Sequence, residues 1–346
     1  MKNKYSYIYN HDTFNSTIDA LTKNQFYRDI GKSDQREKIS DENLRYSSWI
    51  ASILALSEFD DCKSKSLMFG ILAYLEKEDD PCYRTLCYTI ISRTGNIPLD
   101  ESLTKIFDLK KNLFKISFDP FLDYELGSKR IFSKIEIGNE KYYISEYQKD
   151  IYESLNKGKY ISISGPTSSG KSFVIQNYII DKLNKESEFK AIYVVPTRAL
   201  ISEVQSYFKG RLKDPKIKIK TGIGNPKEKL IQKEIFVLTP ERSLKLFELN
   251  RNSALIPNLI YFDEIQNIED EERGVLLEYI LTESSKYWKN SKIILGGPYL
   301  EKMSEIFQRI DKDNSINNKS SLISIYQTKC ILKFHKGQKK CKYNTI

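Results

Sequence analysis

Ile161-Ser-Ile-Ser-Gly-Pro-Thr-Ser-Ser-Gly-Lys-Ser172 decides how the rest of the chain is read. It is a short apolar run, a glycine-rich turn, a lysine and a hydroxyl, followed by an amphipathic segment from Phe173 to Leu183. Gly165, Pro166, Thr167, Ser168, Ser169, Gly170, Lys171 and Ser172 fit the spacing of a phosphate-binding loop without mismatch. The glycines let successive backbone N–H groups converge on one anion. A helix beginning at about Lys171 aims its N-terminal dipole at the same point. In that geometry Lys171 reaches the β- and γ-phosphates of ATP, and the Ser172 hydroxyl holds Mg²⁺. A chance Gly/Ser turn is the bland alternative. Here the turn stands between a β-type run, Tyr160 to Ser164, and a helical one, which is the context the motif requires.

Composition bounds the rest. A chain of 346 residues has room for about two domains with cores of their own. With 40% hydrophobic and 29% charged residues it reads as globular rather than disordered. No apolar run approaches the roughly 20 residues of a membrane span, and Met1-Lys-Asn-Lys-Tyr5 is no signal peptide, so a cytoplasmic protein without a membrane partner is expected. The net charge of +9 favours an anionic partner. Five cysteines without CxxC spacing read as reduced thiols. Two histidines, His11 and His335, leave little scope for histidine catalysis or a His-rich metal site.

Apolar spacing of three and four predicts an all-α N-terminal domain over residues 1–128, with helices at Asp12–Ile30, Asp41–Phe59, Lys63–Glu78 and Cys82–Arg93. Leu44, Trp49, Ile50, Ile53, Leu54 and Leu56 form the clearest stripe, with Asp41 as N-cap and Asp80-Pro81 opening the next helix. Over residues 129–310 the period changes. A hairpin flanks Gly138-Asn-Glu140, and a helix from Glu146 to Lys157 feeds the phosphate loop. β-type runs follow at Ala191–Val195, Ile217–Thr221, Ile235–Leu238, Leu259–Asp263 and Lys292–Leu295. Strands alternating with helices predict an α/β domain, a parallel sheet covered on both faces, with ligands at the carboxyl ends of its strands. Residues 311–346 read as a basic tail or the start of another lobe. Its lysine-rich run from Lys329 to Lys342 is either a frayed, solvated end or a phosphate-binding stripe.

Leu259-Ile-Tyr-Phe-Asp263-Glu264-Ile-Gln266 is an apolar strand ending in two carboxylates. Asp263 suits Mg²⁺ through its water shell, and Glu264 suits activation of an attacking water. Alone such a pair is an ordinary solvated loop; behind a phosphate loop it gains a role.

Residues from about 145 to 300 resemble the first RecA-like lobe of a superfamily 2 DEAD/DEAH-box helicase. The loop Gly165–Ser172 resembles motif I, and Asp263-Glu-Ile-Gln266 is similar to motif II in a DExQ form. Val195-Pro196-Thr197-Arg198-Ala199-Leu200 looks like motif Ia, and Leu238-Thr239-Pro240-Glu241-Arg242 looks like motif Ib. The resemblance implies ATP and Mg²⁺ as cofactors, Gln148 as the adenine-reading glutamine, and Gly222 in a turn near the nucleic-acid backbone. It implies single-stranded DNA or RNA held through Pro196, Thr197, Arg198, Gly222, Thr239, Pro240 and Arg242. Read by themselves, the Ia and Ib runs end a strand and open a helix, which suits either phosphodiester binding or plain helix capping. Gln266 either couples nucleotide to bound strand or makes a helix-start hydrogen bond.

Two departures from the family pattern stand out. Leu295-Gly296-Gly297-Pro298 takes the place of Ser-Ala-Thr, and no arginine follows Arg309. The expectation is a helicase or translocase ATPase that is truncated or partner-dependent, with a second RecA-like lobe or a nuclease subunit acting in trans. More loosely, the order of domains resembles helicase subunits of bacterial anti-phage defence systems. The rival expectation is a non-catalytic ATP-binding regulatory subunit; a P-loop kinase fits the Ia and Ib runs less well.

Overall fold

The computed structural model describes residues 5–77, 80–99, 124, 127–129, 131–137, 140–222, 232–250, 255–269, 274–298, 307, 315–319, 330–333 and 342–345. The chain divides into two compact units.

One unit comprises Met1–Lys134, Tyr143–Ser145 and Leu322–Ile346. Its helices are α1 (Ser6–Tyr9), α2 (Asp12–Asp29), α3 (Asp41–Leu54), α4 (Asp60–Glu76) and α5 (Pro81–Arg93). Phe14, Leu21, Leu44, Leu54, Phe69 and Ile90 form its core. Gly70 lets α4 approach α5, since an added Cβ would lie 2.9 Å from Ile90 Cδ1. The N-cap of α3 is Ser40 rather than Asp41: the extended serine accepts the Asn43 N–H at 3.2 Å, which leaves Asp41 as the first helical residue. Asp80 caps α5 as expected, accepting the Cys82 N–H at 2.8 Å ahead of Pro81. Two members of the predicted stripe are exposed, and Ile53 is only half-buried. Trp49 is 59% and Leu56 62% exposed, because Leu44, Ser47, Ile50, Ala51 and Leu54 already make the inward face, and α3 stops before Leu56. At the lysine-rich end, β10 (Cys330–Lys333) and β11 (Lys342–Thr345) pair antiparallel, and residues 334–341 of the run lie outside the described set.

The expected hairpin is present but shorter, with arms β1 (Lys134–Ile137) and β2 (Glu140–Tyr143); residues 138–139 of its turn lie outside the described set.

The other unit, Ile135–Tyr142 and Glu146–Ser321, is the α/β body. In chain order it runs α6 (Glu146–Lys157), β3 (Tyr160–Ser164), α7 (Lys171–Lys185), β4 (Phe189–Val194), α8 (Arg198–Arg211) and β5 (Lys218–Lys220). It continues with β6 (Lys233–Leu238), α9 (Pro240–Asn250), β7 (Leu259–Phe262), α10 (Gly274–Tyr287), β8 (Lys292–Gly297) and β9 (Ser315–Lys319). The seven strands form one sheet in the order β5-β6-β4-β7-β8-β3-β9, and every pairing is parallel. The period of two divides the sheet cleanly. Ile161, Ile163, Tyr193, Val237 and Tyr261 pack on one face with Ile151, Val174 and Ile201 of α6, α7 and α8. Tyr160, Ile192, Val194, Phe236 and Ile260 pack on the other with Phe247 and Ile280 of α9 and α10.

This is the RecA-like α/β architecture that the sequence led us to expect, with one strand more. The edge strand β9 is polar, Ser-Ile-Asn-Asn-Lys, and carries no apolar alternation. It is held by backbone pairing to β3 and by side chains: Ser162 Oγ donates to Asn317 Oδ1 at 2.8 Å and Ser154 Oγ to Asn318 Oδ1 at 3.1 Å. Among the described residues, no helix is long and apolar enough to cross a membrane.

Candidate nucleotide site and nucleic-acid interface

The phosphate loop leaves β3 at Ser164, passes through a single 3₁₀ turn at Thr167–Ser169, and enters α7 at Lys171. Gly170 has φ +76°, which favours glycine, and a Cβ there would sit 2.2 Å from Gln148 Nε2, so any side chain would also displace that amide. The loop is braced internally. Pro166 O accepts from Ser169 N at 3.0 Å and from Ser169 Oγ at 2.7 Å. The α6 residues ahead of it add two props: Tyr147 donates to Ser164 O at 2.9 Å and Gln148 Nε2 to Ser169 O at 3.1 Å. Gln148 is thus a brace of the loop in this structure. Thr167 is exposed and Ser168 half-buried.

Lys171 is buried, and its ammonium lies 2.7 Å from both Gly165 O and Pro166 O. Burial pulls its pKa down, opposed by the nearby Glu264 and Asp263 carboxylates. Ser172 Oγ donates to Asp263 Oδ2 at 3.4 Å, so the first turn of α7 and the end of β7 meet at this carboxylate. These donors fit Mg·ATP: a cation beside the glycine loop, and a hydroxyl and carboxylate side by side as hard oxygen ligands.

Two residues that sequence reasoning missed complete the group. Tyr193 on β4 donates to Asp263 Oδ2 at 3.1 Å, and Tyr261 on β7 donates to Asp263 Oδ1 at 2.9 Å. Both rings are fully buried and meet edge to face, with centroids 4.8 Å apart. Burial pushes the Asp263 carboxyl above its ordinary value, with Glu264 adding to the rise and both hydroxyls opposing it. The sequence held a signal, since a period of two puts Tyr261 on the same face as Asp263.

Glu264 has φ +51°, an uncommon conformation for a non-glycine residue and one found disproportionately at functional sites. Gln266 Nε2 donates to its carboxylate, while Gln266 Oε1 is buried without a partner. Asp263, Glu264 and Gln266 therefore act as one cluster at the mouth of β7.

A separate open hollow of about 450 Å³ lies at the ends of β4 and β6, lined by Pro196, Thr197, Arg198, Thr239, Glu241, Arg242 and Lys245. Five of the residues expected to contact nucleic acid share it. Arg242 also donates to Thr221 O at 2.6 Å, tying α9 to the segment after β5. Gly222 is exposed beside that carbonyl, and Pro240 is the first residue of α9; neither lines the hollow. Thr197 does cap α8, accepting from Leu200 N at 3.4 Å. Glu241 and Lys245 were not anticipated, although their i, i+4 spacing on α9 puts them on one face.

The α/β body is the part of the chain that matches known proteins in sequence. Residues 145–297 match the family model described as DEAD/DEAH box helicase. The ATP-dependent DNA helicase Hel308 of Thermoplasma volcanium is 29% identical over 185 residues, which cover 53% of this chain and 27% of that protein. Hel308 of Methanococcus vannielii is 34% identical over 155 residues, covering 42% of this chain and 20% of that protein. The chain thus spans about a quarter of the length of these curated relatives. Among solved structures, the Pyrococcus furiosus Hef helicase domain is 22% identical with a TM-score of 0.41, covering 51% of this chain and 38% of that one.

Proposed function

We propose that residues 145–297 are the ATP-binding motor lobe of a superfamily 2 helicase or translocase, binding and hydrolysing Mg·ATP while it holds single-stranded DNA or RNA by the backbone. The observation that carries this reading is the meeting of Lys171, Ser172 and Asp263 at the carboxyl ends of β3 and β7. Lys171 exchanges its two loop carbonyls for phosphate oxygens. Ser172 and Asp263 would hold Mg²⁺, which when bound neutralises phosphate charge. Glu264 takes the proton of the attacking water, and Gln266, already bonded to it, links that step to the bound strand. Arg198, Arg242 and Lys245, with the Thr197 and Thr239 hydroxyls, suit phosphodiester oxygens and read no base edge.

The γ-phosphoryl group also needs a positive charge in the transition state, which an arginine finger supplies at about 10³ to 10⁵ in rate. We assign it to a second RecA-like lobe, on the same polypeptide or on a partner such as a nuclease subunit. The test is ATP hydrolysis with and without single-stranded DNA or RNA, in wild type and Glu264→Gln. Hydrolysis stimulated by polynucleotide and lost in the variant supports the motor reading. Tight ATP binding with no hydrolysis under any condition, even with a partner lobe added, refutes it in favour of a regulatory subunit.

A further inference from the structure

Asp263 is surrounded by more hydrogen-bond donors than a metal-binding carboxylate needs, and their distribution is uneven. A carboxylate offers about four acceptor directions, two on each oxygen. Oδ1 has both filled, by the Tyr261 hydroxyl at 2.9 Å and the Glu264 amide at 3.1 Å. Oδ2 has one filled by the Tyr193 hydroxyl at 3.1 Å, while the second is held at 3.4 Å by Ser172, the residue assigned to the metal. When the Ser172 hydroxyl turns to the cation, one acceptor direction on Asp263 comes free.

The phenols are not free to drift. Both rings are fully buried, and Tyr193 packs edge to face against Tyr261 and Phe208. Gln176 Nε2 donates to the Tyr193 oxygen at 3.4 Å, which directs the phenol proton towards Asp263. Tyr261 lies over Gly296, where a Cβ would come within 2.3 Å of its hydroxyl oxygen. Each hydroxyl is therefore aimed by packing from a different strand.

We propose that Tyr193 and Tyr261 are positioning residues for the metal site: together they fix the rotation of Asp263 and leave one direction of Oδ2, beside Ser172, as its sole acceptor for the hydrated cation. This rests on the Mg·ATP reading of the site. It goes beyond that reading in assigning the aim of the metal-binding carboxylate to two core tyrosines. If the hydroxyls did no more than satisfy a buried carboxylate, their loss would alter stability without touching metal dependence. If they aim Asp263, their loss weakens the metal-dependent part of nucleotide binding and spares the rest.

The experiment is calorimetric titration of the 346-residue chain with a non-hydrolysable ATP analogue, in saturating Mg²⁺ and in EDTA. Tyr193→Phe and Tyr261→Phe are compared with wild type and with Tyr178→Phe. Tyr178 is a control from the same core whose hydroxyl donates to Leu155 O at 3.0 Å. Outer-shell partners of metal ligands are worth about 10- to 100-fold in affinity. Each site variant should accordingly lose about tenfold of the Mg²⁺-dependent gain, with affinity in EDTA unchanged and Tyr178→Phe like wild type. A full Mg²⁺ gain in the site variants overturns the proposal, as does equal loss with and without Mg²⁺, or an equal loss in Tyr178→Phe. Should one variant fail to fold, the other decides, because the two hydroxyls act on different oxygens. Wild type that binds the analogue without any Mg²⁺ gain overturns this proposal alone; wild type that binds no nucleotide overturns the underlying reading with it.

Discussion

The amide of Gly165 donates to the carbonyl of Gly297 at 3.2 Å, so the first residue of the phosphate loop is pinned to the end of β8. The preceding residue, Gly296, lies under Tyr261, and an added Cβ would sit 2.3 Å from the phenol oxygen and 2.9 Å from Cε2. Gly296 is thus the packing complement of a large residue on β7. Overpacking a filled core costs about 1–3 kcal/mol. Gly296→Ala should lower stability by that amount in urea denaturation, and an unchanged midpoint would show that Tyr261 has room to retreat.

Lys171 is expected to dominate nucleotide affinity, since among the described residues its buried ammonium donates to two loop carbonyls, which phosphates would displace. Truncating one member of a desolvated charge pair costs about 2–5 kcal/mol. In calorimetry Lys171→Ala should therefore weaken ATP by roughly 30-fold or more. A folded variant with wild-type affinity would remove the phosphate loop from the mechanism.

The inner strands of the sheet were legible because they are buried on both faces and bounded by turns: Tyr160–Ser164 was read to the residue, as was the helix Glu146–Lys157 ahead of it. β9 was not, because an edge strand held by Asn317 and Asn318 shows no apolar period. The phosphate loop and the Asp263-Glu264 pair were legible because their chemistry needs fixed spacings in sequence. Tyr193 and Tyr261 were read only as strand-forming core residues. The Tyr193 hydroxyl reaches Asp263 only once β4 and β7 lie side by side, a pairing no local window contains, whereas Tyr261 stands two residues from Asp263 on the same strand. Trp49 failed in the opposite way, for a stripe counts apolar residues without knowing which side of the helix meets a neighbour.

Burial raises the Asp263 pKa above its ordinary value, so the ionised carboxylate costs the fold stability at neutral pH. The cost is present above the raised folded pKa and relieved as pH falls through it, since the folded state then binds the extra proton. Asp263→Asn should stabilise the protein at neutral pH, with a gain that shrinks in acid. Melting temperatures of both proteins across pH check this. A variant less stable than wild type at neutral pH would mean that the two phenol hydrogen bonds outweigh desolvation.

Arg198 is exposed on the rim of the hollow and makes no ion pair among the described residues, so it reports on phosphate binding with little effect on the fold. Arg198→Ala should weaken single-stranded DNA or RNA about equally across sequences and reduce the salt slope by about one. Fluorescence anisotropy over a salt series measures both. Loss confined to one sequence would contradict backbone recognition.

Glu264 is the sharpest test of the chemistry. Its backbone sits at φ +51°, a conformation that costs on the order of 1–3 kcal/mol in a non-glycine residue and persists only where the surroundings hold it. The holding contacts are visible: its amide donates to Asp263 Oδ1 at 3.1 Å, and its carboxylate accepts from Gln266 Nε2. Position and orientation are therefore set by neighbours, and the carboxylate contributes charge and basicity. Glu264→Gln keeps the shape and removes both. General-base catalysis contributes about 10² to 10⁴ in rate, or roughly 3–5 kcal/mol of barrier. The expected outcome is a fall of that size in polynucleotide-stimulated ATP turnover, in the presence of whatever lobe supplies the arginine, with Mg·ATP affinity close to wild type. Gln266→Ala is the companion measurement, because it frees the carboxylate without removing it and should cost less turnover than Glu264→Gln. If Glu264→Gln turned over ATP like wild type, the base would have to be another residue, and the positive φ at 264 would need a cause other than catalysis.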